Sequence, residues 1–302
     1  MSSGATIADR AARQSVALQG KGGSTAERLF RACLHGAVAV GALCLIALIV
    51  RIVSQGGGRV STDLLTNQPS KIVPETSGIQ SAILGTLYLM GLCAVLVIPV
   101  GVATAIYLEE YADRKRWWNR LIELNIQNLA AVPSVVYGIL GLAFIVRGPI
   151  GMGPVLLAGA ITLSLLVLPV VIIVSREAIR AVPSSIRDGA LALGATKWQS
   201  IWKQVLPGSI AGIATGVILA LSRAIGETAP LIVIGAAVSP RFNPDGLLAS
   251  FTALPIQIFA FSKDNDSSFI ALAAAAIIVL MALLLAMNSI AIYLRNRYEQ
   301  KW

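Results

Sequence analysis

Five stretches of this chain run 19 residues or longer without a charged side chain, at residues 32–50, 81–108, 128–146, 154–175 and 269–294, and a sixth at 208–239 is interrupted only by Arg223 and Glu227. A helix crossing a hydrocarbon core needs roughly 20 mainly apolar residues, so each stretch is long enough to span a membrane. Transmembrane strands would be about 10 residues long and alternate in polarity, a pattern absent here. Composition agrees: 56% of the 302 residues are hydrophobic and 13% are charged, against about 25% charged in soluble domains. The expected fold is an all-α membrane protein of six transmembrane helices, with the third bent at Pro133.

The formal net charge of +9 would suggest a nucleic-acid partner in a soluble protein. In a membrane protein it reflects the Lys and Arg that accumulate in short cytoplasmic connections. With the N-terminus inside, the cytoplasmic segments hold 17 Lys and Arg and the external ones 6, Arg223 being the one left within a span. Both termini are therefore expected in the cytoplasm of a bacterial or archaeal plasma membrane, with no nucleic-acid role. The expected organisation is a mobile tail at 1–27, a peripheral first helix at 28–53, an external loop at 54–80, a core at 81–295 and a short tail at 296–302. The first span lacks a cleavage pattern and reads as a retained helix. Cys33, Cys44 and Cys93 lie in apolar runs without C-x-x-C spacing, and His35 has no companion at ligand spacing, so neither a disulfide framework nor a metal site is expected.

The connection at 176–207 is long for a loop between spans, and connections of that length usually have a function. Pro183 with Ser184 and Ser185 starts a helix over 186–193, Gly194 breaks it, and a second helix over 196–205 ends at Leu206 and Pro207. Trp198, Ile201, Trp202 and Val205 recur at helical spacing on one expected face, flanked by Lys197 and Lys203. Taken alone, this describes a helix lying among lipid headgroups.

The same segment resembles the signature loop of ABC importer permeases, E-A-A-x-x-x-G followed nine residues later by I-x-L-P. Asp188, Gly189 and Ala190 stand at the first three positions, Gly194 at the glycine with Ala195 next to it, and Gln204-Val205-Leu206-Pro207 at the close. Gly189 and Gln204 depart from the pattern without altering its spacing. Three further segments, GTLYLMGLCAVLVIPVGVATAIYLEEYA, NIQNLAAVPSVVYGILGL and SRAIGETAPL, resemble the A-type permeases of phosphate-specific importers. The resemblance implies a type I importer permease fold with a cytoplasmic coupling-helix loop. In such a protein Asp188, Gly189, Ala190, Gly194, Ala195, Trp198, Leu206 and Pro207 dock an ATPase. It also implies a heterodimer with a second homologous permease, two ATPase subunits that bind ATP and Mg, and an external phosphate-binding protein.

Arg223 and Glu227 are costly inside a span, about 2.5–3.5 kcal/mol each at the bilayer centre, so they are expected to face protein or a water-filled path. Their i, i+4 spacing puts them on one face of a continuous helix, where they either neutralise each other or form an oxyanion site. The guanidinium offers a donor fork for phosphate. The carboxylate can accept the proton of hydrogen phosphate and repel an anion that lacks one. Thr228 follows in the same segment, and Asn128 and Tyr137 either line the same path or serve as helix contacts. Gly212 and Gly216 permit close helix approach. No G-x-x-x-x-G-K-[ST] occurs, so no ATP hydrolysis is expected on this chain. The competing readings are a permease for molybdate or sulfate, and a membrane enzyme acting on a phosphorylated lipid.

Overall fold

The computed structural model describes residues 25–70, 72–113, 115–236 and 242–298. Among these the regular elements are helices, apart from an isolated bridge between Val155 and Ser250. The chain divides into two units, Met1–Arg51 and Ile52–Trp302. The described part of the first unit is the opening of helix α1 (Thr25–Gly56). It is apolar on every side and buries no residue through Arg51. A helix of that kind is stable only where its surroundings are themselves apolar.

In the second unit α2 (Thr62–Thr66) is a short surface turn. Then α3 (Gln80–Ile106) runs into a π-helical turn at Tyr107–Tyr111. Next come α4 (Trp117–Ala130) and α5 (Ser134–Leu140), the latter continued by a π turn at Gly141–Val146. They are followed by α6 (Leu156–Arg180), α7 (Ser184–Ala192) and α8 (Lys197–Ser200). A third π turn at Ile201–Val205 joins α8 to α9 (Leu206–Ile225). The chain then passes through α10 (Ala229–Val233), α11 (Leu254–Ser262) and α12 (Ser267–Tyr298).

The core forms where α6 packs between α3 and α9. Cys93, Leu163 and Val171 are fully buried there. Missing Cβ atoms set the spacing: one on Gly101 would strike Val171, one on Gly212 Ala178, and one on Gly216 Val174. The Gly212/Gly216 pair thus serves packing within the chain rather than contact with another copy. A second apolar cluster joins α11 to α12 through Leu254, Phe261, Phe269 and Leu272. Thr86 of α3 anchors the start of α11, its Oγ1 accepting the Leu254 N–H at 2.9 Å.

Among the described residues five helices are long and apolar enough to cross a membrane, and a sixth candidate is the pair Trp117–Ala130 and Ser134–Val146, bent by 105°. The third span is bent at Pro133 as expected, and sharply: Asn128 belongs to the helix before the bend, because a residue preceding proline disfavours the α conformation and α4 stops short of Pro133. Two other sequence expectations need correction. The fifth span does not run unbroken through Glu227. Pro230 lacks an N–H and its ring would clash with the Gly226 carbonyl, so α9 ends at Ile225 and α10 begins afresh. The second helix of the 176–207 connection does not end at Pro207. It continues as one rod over Lys197–Ile225, because the Leu206 N–H bonds back to the Ile201 carbonyl in the π turn and leaves Pro207 in the first turn of α9.

Candidate functional site

The two helix breaks meet. Gly138 of α5 lies against Pro230 and Val233 of α10, so closely that an added Cβ would overlap the Pro230 backbone. The Tyr137 hydroxyl donates to the Leu129 carbonyl across the Pro133 bend at 2.8 Å. That carbonyl also accepts the Val132 N–H at 3.1 Å, so the tyrosine adds a second donor at the end of α4. The Glu227 N–H bonds the Ala224 carbonyl at 3.1 Å, and the Thr228 hydroxyl donates to the Gly226 carbonyl at 3.3 Å. Facing broken helices are a common way for membrane transporters to build a site near the middle of the bilayer.

Arg223 and Tyr137 line a cavity at this junction together with Leu129, Val132, Leu166 and Ala220. Its volume is about 10 Å³, room for about one water and too little for an oxyanion within this chain alone. The Arg223 Nε lies 3.6 Å from the Glu227 Oε1, with the arginine side chain 62% exposed and the carboxylate 16% exposed. The pair forms as the i, i+4 spacing anticipated, but from a helix end to a linker, not along one helical face. Asn128 is exposed at the end of α4, and Thr228 is half-buried beside Glu227. Tyr137 and Arg223 are thus brought together, while the Tyr137 hydroxyl is committed to the backbone.

The 176–207 connection forms a helix, a turn and a second helix. Gly194 adopts φ +83°, with open space where a side chain would stand. Thr196 begins the second helix with a capping box: its hydroxyl accepts the Gln199 N–H, and the Gln199 Oε1 accepts the Thr196 N–H at 2.8 Å. Asp188, Gly189 and Gly194 are exposed, and Ala190, Ala195, Leu206 and Pro207 are half-buried. The expected single face of the second helix splits. Trp198 and Trp202 are exposed, their ring centroids 5.3 Å apart, while Ile201 and Val205 enter the core. The intervening π turn shifts the register between the two pairs.

A charge network missed in the sequence reading fixes this connection to the bundle. At the end of α3, Glu109 accepts two bonds from Arg180, both at 3.1 Å. Glu110 accepts from Arg187 at 2.9 Å. Arg187 also donates to the carbonyls of Val182 and Ile179 at 2.6 and 2.8 Å, so α7 is clamped to both α3 and α6. Buried Arg176 reaches Glu123 of α4 at 3.0 Å. In the sequence alone these arginines inform only orientation. The signal available was the adjacent pair Glu109-Glu110 closing an apolar run, with Arg176 and Arg180 one helical turn apart.

Broken helices around the Arg223–Glu227 pair, inside a bundle of apolar helices that presents an exposed helix-turn-helix, define the transmembrane component of a transporter. The chain belongs to the family of binding-protein-dependent transport system inner membrane components, which matches residues 97–300. It is therefore a multi-pass inner-membrane protein and an ABC importer permease subunit. It is not an enzyme: ATP hydrolysis lies on a separate subunit, and a separate binding protein captures the solute. The reading as a lipid-modifying enzyme is set aside. The chain is 32% identical over 205 residues to the probable ABC transporter permease protein YqgI of Bacillus subtilis, covering 68% of this chain and 69% of that one. It is 32% identical over 251 residues, 83% of each chain, to the phosphate transport system permease protein PstA of Yersinia pestis. It is 35% identical over 190 residues to PstA 1 of Mycobacterium tuberculosis, covering 62% of this chain and 61% of that protein. Among solved structures, a chain of a bacterial alginate ABC transporter superposes with a TM-score of 0.66 at 16% identity, covering 90% of this chain and 96% of the other. A chain of the MetNI methionine transporter superposes with 0.57 at 15% identity, covering 74% and 95%. These last two are likenesses of fold.

Proposed function

We propose that the chain forms one half of a transmembrane path for inorganic phosphate, completed by a second homologous permease. Two ATPase subunits holding ATP and Mg dock on the 176–207 connection, a phosphate-binding protein sits outside, and both termini lie in the cytoplasm. The observation that carries this reading is Arg223: a cation at the end of a broken apolar helix, mostly exposed and held by one carboxylate at 3.6 Å. A charge so placed must face a partner subunit or a wet path, and the adjacent cavity is too small for the anion. A path bounded by two chains meets both requirements. The likeness to PstA proteins supports phosphate as the anion. The guanidinium then receives the phosphate, and Glu227 takes the guanidinium back on release.

In the assembled transporter Arg223→Gln stops phosphate uptake, and Arg223→Lys restores little of it because the planar fork is lost. Glu227→Gln slows turnover or weakens discrimination against sulfate. Radiolabelled phosphate uptake into proteoliposomes checks this; normal uptake by the double variant Arg223→Gln with Glu227→Gln would remove the pair from the mechanism.

A further inference from the structure

At the charged end of the bundle lies a second cavity, of about 260 Å³, lined by Leu108, Ala112, Asn119, Arg120, Glu123 and Arg176. It is smaller than most small-molecule sites, which run about 300–1,000 Å³, and suits a compact polar group. Two of its walls carry buried atoms without a partner, the Asn119 Oδ1 and the Arg176 Nε. Both residues are more than nine-tenths buried. The Asn119 Nδ2 donates to the Asp113 carbonyl at 3.0 Å, which orients the amide and leaves Oδ1 as an unused acceptor. Arg176 turns its Nη2 to Glu123 at 3.0 Å and to Glu109 at 3.6 Å, leaving Nε–H as an unused donor. Orphaned polar atoms in a buried wall carry a desolvation cost that an occupant would relieve.

The two orphans are of opposite kind, and the remaining polar walls, Arg120 and Glu123, are of opposite charge. A simple anion would serve only the donors and a simple cation only the acceptors. The surroundings point to a lipid. Leu108 and Ala112 stand where the α3 span gives way to Glu109 and Glu110, and α4 presents exposed Trp117 and Trp118, with Arg116 5.1 Å over the Trp118 ring. Tryptophans in that position mark headgroup depth.

We propose that this cavity binds the phosphoethanolamine headgroup of a membrane lipid. Its phosphate accepts from the Arg176 Nε and from Arg120, and its ammonium donates to the Asn119 Oδ1 and to Glu123. Inorganic phosphate shares the oxyanion but brings no ammonium. The reading rests on the membrane location of the chain and is independent of what it transports.

Native mass spectrometry of the full-length chain with its partner subunits tests the proposal, after delipidation and return of phosphatidylethanolamine, phosphatidylcholine or phosphatidylglycerol at equal mole fraction. Phosphatidylethanolamine should be retained about tenfold over phosphatidylcholine, whose trimethylammonium has no N–H to donate. Asn119→Leu and Glu123→Gln should each erase that preference. Arg120→Gln, at an exposed position that does not threaten folding, should lower retention of all three lipids. Equal retention of the first two lipids by the unaltered complex would overturn the proposal. So would an unchanged preference in the variants, or displacement of the lipid by inorganic phosphate, which would assign the cavity to the free anion.

Discussion

Single residues in this chain act mostly through the backbone breaks they create or tolerate. Pro133 and Pro230 end helices, Tyr137 ties one break together, and Gly194 turns the connection at φ +83°. Because nothing lies within reach of a Cβ on Gly194, the cost of replacing it is conformational, about 1–2 kcal/mol for an ordinary residue and less for asparagine. Gly194→Val should therefore weaken co-purification of the ATPase while Gly194→Asn retains most of it, as a pull-down from membranes would measure. Comparable loss in both variants would mean that bulk at the turn, and not its φ, is what the partner refuses.

At the scale of elements, α7 is held by charge rather than by apolar burial. It buries no residue among its nine, yet Arg187 joins it to Glu110, Val182 and Ile179. Removing one partner of a largely buried, charge-assisted contact costs about 2–3 kcal/mol. Arg187→Met should thus raise amide hydrogen exchange over 184–193 by ten- to a hundredfold and leave α3 and α6 protected. Arg180→Ala, at a more exposed site, should change it far less. The segment leading into α11 behaves differently: Leu247 is exposed, whereas Phe251, Leu254 and Phe261 are buried, so apolar burial closes the core there.

For the whole molecule the open prediction is orientation. The excess of 17 cytoplasmic over 6 external Lys and Arg should set the topology, since charge bias in short loops governs insertion. Single cysteines placed at 62–66 and 263–266 should react with an impermeant maleimide from outside, and those at 184–204 only after permeabilisation. The reverse pattern would invert the topology and move the proposed ATPase surface to the wrong side.

The existence and approximate limits of the long spans, the helix-turn-helix and the Arg223–Glu227 pairing were legible in the sequence, because apolar length, turn chemistry and i, i+4 spacing are local properties. The bend at Pro133 was legible in its place but not in its size of 105°, and neither the arrest of α9 before Glu227 nor the run of α8 through Pro207 was legible. Proline reports that a helix must adjust, but whether it stops, bends or slips into a π turn depends on what packs beside it. Only the tertiary structure brought Glu109 and Glu110 to arginines some 70 residues away and set Tyr137 beside Arg223. Partner choice among charges separated by whole spans is decided by how the helices pack, and no local pattern records it.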